Sequence, residues 1–176
     1  MKIDPGQINF QIAQIKRQKE LAERENTAEN RVFSTPRLQE LKSKEETLLR
    51  ELRQRDREVR AHEMAHLAVA GPYALSGAQY KTVKGPDGRL YAIAGEVKID
   101  TSPERDPEKT LEKARIIKRA ALAPKNPSPQ DRLIALKAAQ METKALAEIT
   151  KEKLENQARV SPREAAQTYK KFQSSV

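Results

Sequence analysis

The chain has two histidines, His62 and His66, and both lie in the stretch V-R-A-H-E-M-A-H-L-A-V-A-G-P-Y (residues 59–73), with Glu63 beside the first. On a helix, residues four apart stand one above the other. Two imidazoles at that spacing can each present a ring nitrogen to one ion at about 2.0–2.1 Å. Glu63 is rotated off that line, where its carboxylate can reach a water on the open face of the metal and act as general base. This is the mechanical reading of H-E-x-x-H in metallopeptidases. With no cysteine in the chain, thiolate sites and disulfides are excluded, and the expected ion is Zn²⁺ held by imidazole and carboxylate.

Two histidines leave a catalytic zinc one protein ligand short. The absence of a third histidine excludes the pattern H-E-x-x-H-x-x-G-x-x-H, so the missing ligand should be an acid. Glu96 and Asp100 follow the motif on a predicted strand, and Glu142 lies beside the apolar stripe of a later predicted helix. Each also reads as an ordinary surface or ion-paired acid. Gly95 is expected to interrupt the strand and re-aim Glu96. Among the phenols, Tyr73, Tyr80 and Tyr91 could reach an oxyanion, with Tyr91 and Tyr73 named as candidate stabilisers. Tyrosines at such positions also serve as packing.

The elements that must position these groups are mostly helical. Leu38, Leu41, Leu48, Leu52 and Val59 recur at three, four and seven residues with no Gly or Pro before Gly71-Pro72, which predicts one helix over about 36–70. Extending its stripe by three and four residues lands on His62 and His66, so both imidazoles are expected to face inward. Residues 79–100 read as a β-hairpin turning at Gly85-Pro86-Asp87-Gly88. A further helix opens at Asp106-Pro107 and stops near Pro124. The next runs from Ser128-Pro129 to about residue 156, with Ile134, Ala138, Met141, Ala145 and Ile149 as its stripe. Residues 1–35 read as a mobile polar arm, with a short helical stripe at Ile8, Ile12 and Ile15 before the break at Ser34-Thr35-Pro36. Ser161-Pro162-Arg163-Glu164 reads as a capping-box start for a short helix in a loosely docked tail, 157–176. The predicted fold is mainly α with a small β-hairpin, built as a zincin-like active-site helix at the end of a long N-terminal helix, the hairpin and two further helices. The domain spans 36–156, with its motif core at 57–150.

Composition agrees with solvated helices around a modest core, since aromatics are 4% and charged residues 34% of the chain. The net charge of +9 raises nucleic acid as a partner, but residues 1–60, 61–156 and 157–176 carry +3 each. Charge spread so evenly, without interleaved aromatics, argues against a specific nucleic-acid footprint. The N-terminus lacks the apolar core of a secretory signal and no stretch approaches about 18 apolar residues, so a cytoplasmic location without a membrane span is expected.

The run at 59–74, the turn G-P-D-G-R-L-Y-A (85–92), G-E-V-K-I-D (95–100) and R-A-A-L-A-P (119–124) together resemble the SprA-related family of bacterial metalloproteases over about residues 57–150. The resemblance implies a zinc peptidase; a peptide or protein substrate is the expectation that follows from that chemistry. Its G-E-V motif falls on Gly95, Glu96 and Val97, which makes Glu96 the preferred third ligand over Asp100 and Glu142. The competing reading is a catalytically inactive helical scaffold or adaptor with a structural metal site, in which residues 36–60 would dock a partner helix.

Overall fold

The computed structural model describes residues 5–28 and 36–173, with side chains described over 6–24 and 36–157. In chain order the elements are α1 (Pro5–Ala28), α2 (Pro36–Ala70), a 3₁₀ turn (Gly71–Tyr73), β1 (Gln79–Lys84), β2 (Leu90–Glu96), α3 (Pro107–Ala121) and α4 (Pro129–Gln173). The fold is mainly α with one small antiparallel hairpin. Among the described residues, no helix is long and apolar enough to cross a membrane.

The chain divides into two compact units, the first made of residues 1–67 and 75–98. Its core joins α1, α2 and the hairpin: Ile8, Ile12, Leu48, Leu52, Val83, Tyr91 and Ile93 are buried together. Residues 5–28 of the expected arm form helix α1, longer than the short helical stripe the sequence marks. Ile8, Ile12 and Ile15 form a stripe at four and three residues, too sparse to hold an isolated helix but sufficient once α2 and the hairpin cover it. Further along, Ala22 closes on Leu38 and Leu41. Leu38, Leu41, Leu48 and Leu52 of α2 are thus packed with residues of the chain's own α1.

The hairpin turn is fixed by its glycines. Gly88 adopts φ +81°, a left-handed conformation that costs glycine little. Gly85 lies so close to Tyr91 that a Cβ there would meet the ring at 2.6 Å. The Gly85 N–H donates to the Arg89 carbonyl at 2.8 Å, and the Tyr91 hydroxyl donates to Asp87 Oδ2 at 2.6 Å. Strand β2 is continuous from Leu90 to Glu96. The irregularity expected at Gly95 lies instead at Ile93, which has no partner between the pairs Thr82–Ala92 and Lys81–Ala94.

The second unit comprises residues 68–74 and 99–176. Ala114 and Ile117 of α3 are buried with Ala138 and Met141 of α4, and Tyr73, Ile99 and Ile134 pack on them. Alanines at the contact let the helix backbones approach. Asp106 caps α3 by accepting from the Glu108 N–H at 2.8 Å, with Pro107 at the first helical position, as the sequence predicts. Helix α4 runs on to Gln173 through Ser161-Pro162, so no separate helix begins there. A proline inside a helix removes one backbone donor, and here it does not end the element. Side chains beyond 157 lie outside the described residues, as does any docking of the tail.

Two polar side chains of α3, Thr110 and Lys113, are buried, and both hold the irregular segment 99–106. Thr110 Oγ1 accepts from the Glu104 N–H at 2.9 Å. Lys113, 2% exposed, donates to Asp100 Oδ2 at 2.7 Å and Glu104 Oε1 at 2.8 Å, with its ammonium 5.5 Å from the centre of the Tyr73 ring. Asp100 in turn donates its N–H to the Tyr73 carbonyl at 2.9 Å, which ties down the end of the segment that follows α2. Burial opposes the Lys113 charge, but the hydrogen bonds from Asp100 and Glu104 outweigh it and raise its pKa. The same Lys113 bond, with those from Ser102, lowers Asp100 to about 2. A carboxylate lowered in the folded state stabilises above its unfolded pKa of about 4 and loses that contribution as pH falls toward 2. Acid titration followed by circular dichroism should show part of the helical signal lost in that window. Lys113→Met, which strands two carboxylates, should lower stability by about 2–4 kcal/mol in urea melts at pH 7.

Candidate metal centre

Helix α2 brings its polar residues onto a buried face one turn at a time. Leu52, Val59, Glu63, His66 and Ala70 are all buried, spaced by seven, four, three and four residues. Gly71, in the left-handed region at φ +53°, ends the helix where Pro72 prevents its continuation. The sequence puts both histidines on this face and Glu63 to one side. In the structure Glu63 lies on the line itself at 4% exposure, His66 is buried at 3%, and His62 is half-buried on its flank. The physical reason is the helical repeat. From Val59 the steps of four, three and four pass through 63, 66 and 70, leaving 62 about a fifth of a turn to one side.

The two imidazoles converge despite this offset. Their rings stand edge to face, 75° apart with centroids separated by 4.9 Å, and the two Nε2 atoms are 3.2 Å from one another. Two nitrogens bound tetrahedrally to one zinc at about 2.0–2.1 Å would lie about 3.3 Å apart. That separation matches the bite of a tetrahedral ion, and it is also a ring–ring hydrogen bond when one Nε2 carries the proton. Two imidazole nitrogens at this spacing would fit zinc.

Glu63 packs against strand β2. A Cβ built on Gly95 would lie 2.6 Å from Glu63 Cγ, 2.8 Å from Oε1 and 2.9 Å from Cδ. The strand is held at this depth by two further α2 side chains, Asp56 and Arg55. Asp56 Oδ1 accepts the Ala92 N–H at 2.8 Å, and Arg55 Nε donates to the Ile93 carbonyl at 3.2 Å. Arg60 braces Asp56 at 2.9 Å and lies 4.9 Å from the centre of the Tyr80 ring. A signal for this pair exists, since Arg55-Asp56 falls between Leu52 and Val59, where the buried face of α2 would otherwise be apolar.

The acids proposed as third ligand take other positions. Glu96, at the end of β2, has a side chain 62% exposed and lies 4.0 Å from Lys98. Among the described residues it joins the two ring nitrogens in no three-ligand cluster, and neither does Glu63. In the second unit Asp100 is engaged by Lys113 and Ser102. Glu142 accepts from Lys118 at 2.8 Å and from Arg115 at 3.1 Å, and these bonds lower its pKa. Asp131, an acid the sequence reading did not single out, closes a capping box in the first turn of α4. Its Oδ2 accepts the Ser128 N–H at 2.6 Å and its own N–H donates to Ser128 Oγ at 3.2 Å. The phenols are likewise engaged: Tyr91 is 6% exposed with its hydroxyl on Asp87, and Tyr73 packs in the α3–α4 core.

None of the curated proteins and none of the solved structures matches the chain. A family model described as SprA-related family matches residues 6–169, a wider span than the 57–150 over which the motifs carry the resemblance. The match takes in α1, α2, the hairpin, α3 and most of α4, and the protein belongs to the SprA-related family.

Proposed function

We propose that the protein is a zinc-dependent metallopeptidase whose metal is held by His62 and His66 and whose general base is Glu63. The observation that carries this reading is the 3.2 Å separation of the two Nε2 atoms, the spacing a tetrahedral ion requires, on the same helical turn as a buried carboxylate. When bound, zinc would supply a polarised water of lowered pKa and an electrophile for the scissile carbonyl. The chain's own part is orientation and proton transfer. His62 and His66 each present Nε2, and Glu63, held from behind by the backbone of β2, accepts a proton at its carboxylate and returns it to the leaving amine. The low exposure of Glu63 keeps that carboxylate from being levelled by bulk water.

Purified protein should carry about one zinc per chain by elemental analysis, and His62→Ala and His66→Ala should each lose it. Negligible zinc in all three after zinc is supplied would end the metal reading. Glu63→Gln should keep zinc and fold while turnover of a peptide library falls by about 100-fold or more, because an amide cannot take the proton. Full zinc occupancy with no cleavage of any library by the wild type is the outcome that favours the scaffold reading.

Alanine scanning of three acids, read by zinc titration, addresses the remaining ligand. Asp100→Ala and Glu142→Ala should leave affinity within about twofold, since each acid is already neutralised by lysine or arginine in its own unit. Glu96→Ala should weaken binding by about 100-fold or more if Glu96 swings in to complete the site, and unchanged affinity would remove it from the coordination set.

A further inference from the structure

We infer that Gly95 is a positioning residue whose missing side chain forms the seat of the Glu63 carboxyl group. The inference rests on the reading of Glu63 as the base, and it reassigns the glycine of the G-E-V motif. Gly95 is not among the glycines with positive φ, so its backbone conformation is one that any residue could adopt. Space, not conformational freedom, selects glycine here. All three nearest neighbours of a Cβ at this position belong to Glu63, at 2.6, 2.8 and 2.9 Å, where ordinary carbon contacts begin near about 3.5 Å.

Neither partner can retreat easily. Glu63 is 4% exposed on the inner face of α2. The strand is pinned upstream, because the Ala92 N–H is held by Asp56 and the Ile93 carbonyl by Arg55. Between these contacts β2 carries the bulge at Ile93, so Ala92 and Gly95 lie only two ladder steps apart and the anchor on Asp56 is close to the place where Gly95 meets Glu63. A methyl group at Gly95 must push the carboxylate off its seat while leaving His62 and His66 in place.

The test is a double-mutant cycle in the full chain, read by thermal melting and zinc content as well as by turnover. Gly95→Ala should bind zinc as the wild type does, melt several degrees lower, and lose at least tenfold in kcat with KM little changed. In a Glu63→Ala background the same change should cost no stability, because the atoms it collides with are gone. Should Gly95→Ala alone fail to fold, recovery of the fold in Glu63→Ala/Gly95→Ala would support the seat, and failure to recover would overturn it. Equal loss of melting temperature in both backgrounds, or wild-type turnover in a well-folded Gly95→Ala, would likewise overturn it. The stability arm needs no peptidase activity. If the wild type cleaves nothing, the cycle still decides whether Gly95 seats Glu63.

Discussion

A carboxyl group and an imidazole on the apolar face of a helix must be satisfied where they are buried, and α2 is organised around that requirement. Its face is ordinary leucine and valine as far as Val59 and then continues through Glu63 and His66 to Ala70. Burying a polar group without compensation costs kilocalories. The backbone of β2 lies directly on Glu63 at a residue without a side chain, and the two ring nitrogens stand within hydrogen-bond distance of each other. The hairpin, its depth on Asp56 and Arg55, and the cover that α1 supplies over Leu48 and Leu52 all serve the packing of one strand on one helical face.

The second unit solves the same problem with charge. Lys113 is one of the most deeply buried large side chains, and two acids meet it. Because a buried ammonium left alone is costly, the pair fixes the course of the chain from Ile99 to Asp106, where there is little regular structure to do so. Through the Asp100 N–H it also fixes the Tyr73 carbonyl just beyond the end of α2. Polar residues of α3 are thus committed to holding a loop, and the acids of that loop are committed to them.

This commitment is invisible in the linear pattern of acids. A metal ligand and a counterion are both carboxylates near an apolar stripe. What separates them is the neighbour that three-dimensional packing supplies. Asp100 and Glu142 received lysines and an arginine from α3, neither at a spacing that the linear pattern marks. Glu96 sits beside the most informative glycine in the chain, yet the glycine's purpose lies on its other side, toward Glu63.

Much of the molecule was nevertheless determined by the sequence itself. The stripe of α2, its stop at Gly71-Pro72, the turn at Gly85–Gly88 and the Asp106-Pro107 start of α3 follow from local rules of periodicity, capping and backbone freedom, which act within a few residues. The i, i+4 histidines likewise needed only the helical repeat to be placed within reach of one ion. Tertiary structure decided what depends on distant partners. The sparse isoleucines of α1 became a helix because α2 and the hairpin covered them. Glu63 moved to the centre of the buried face because the core beneath α2 lies on the line through Val59, His66 and Ala70. Gly95 acquired its role because β2, anchored on Asp56 through Ala92 and bulged at Ile93, sets its backbone on Glu63. Local rules cannot contain that coincidence, since it is a property of two elements packed together.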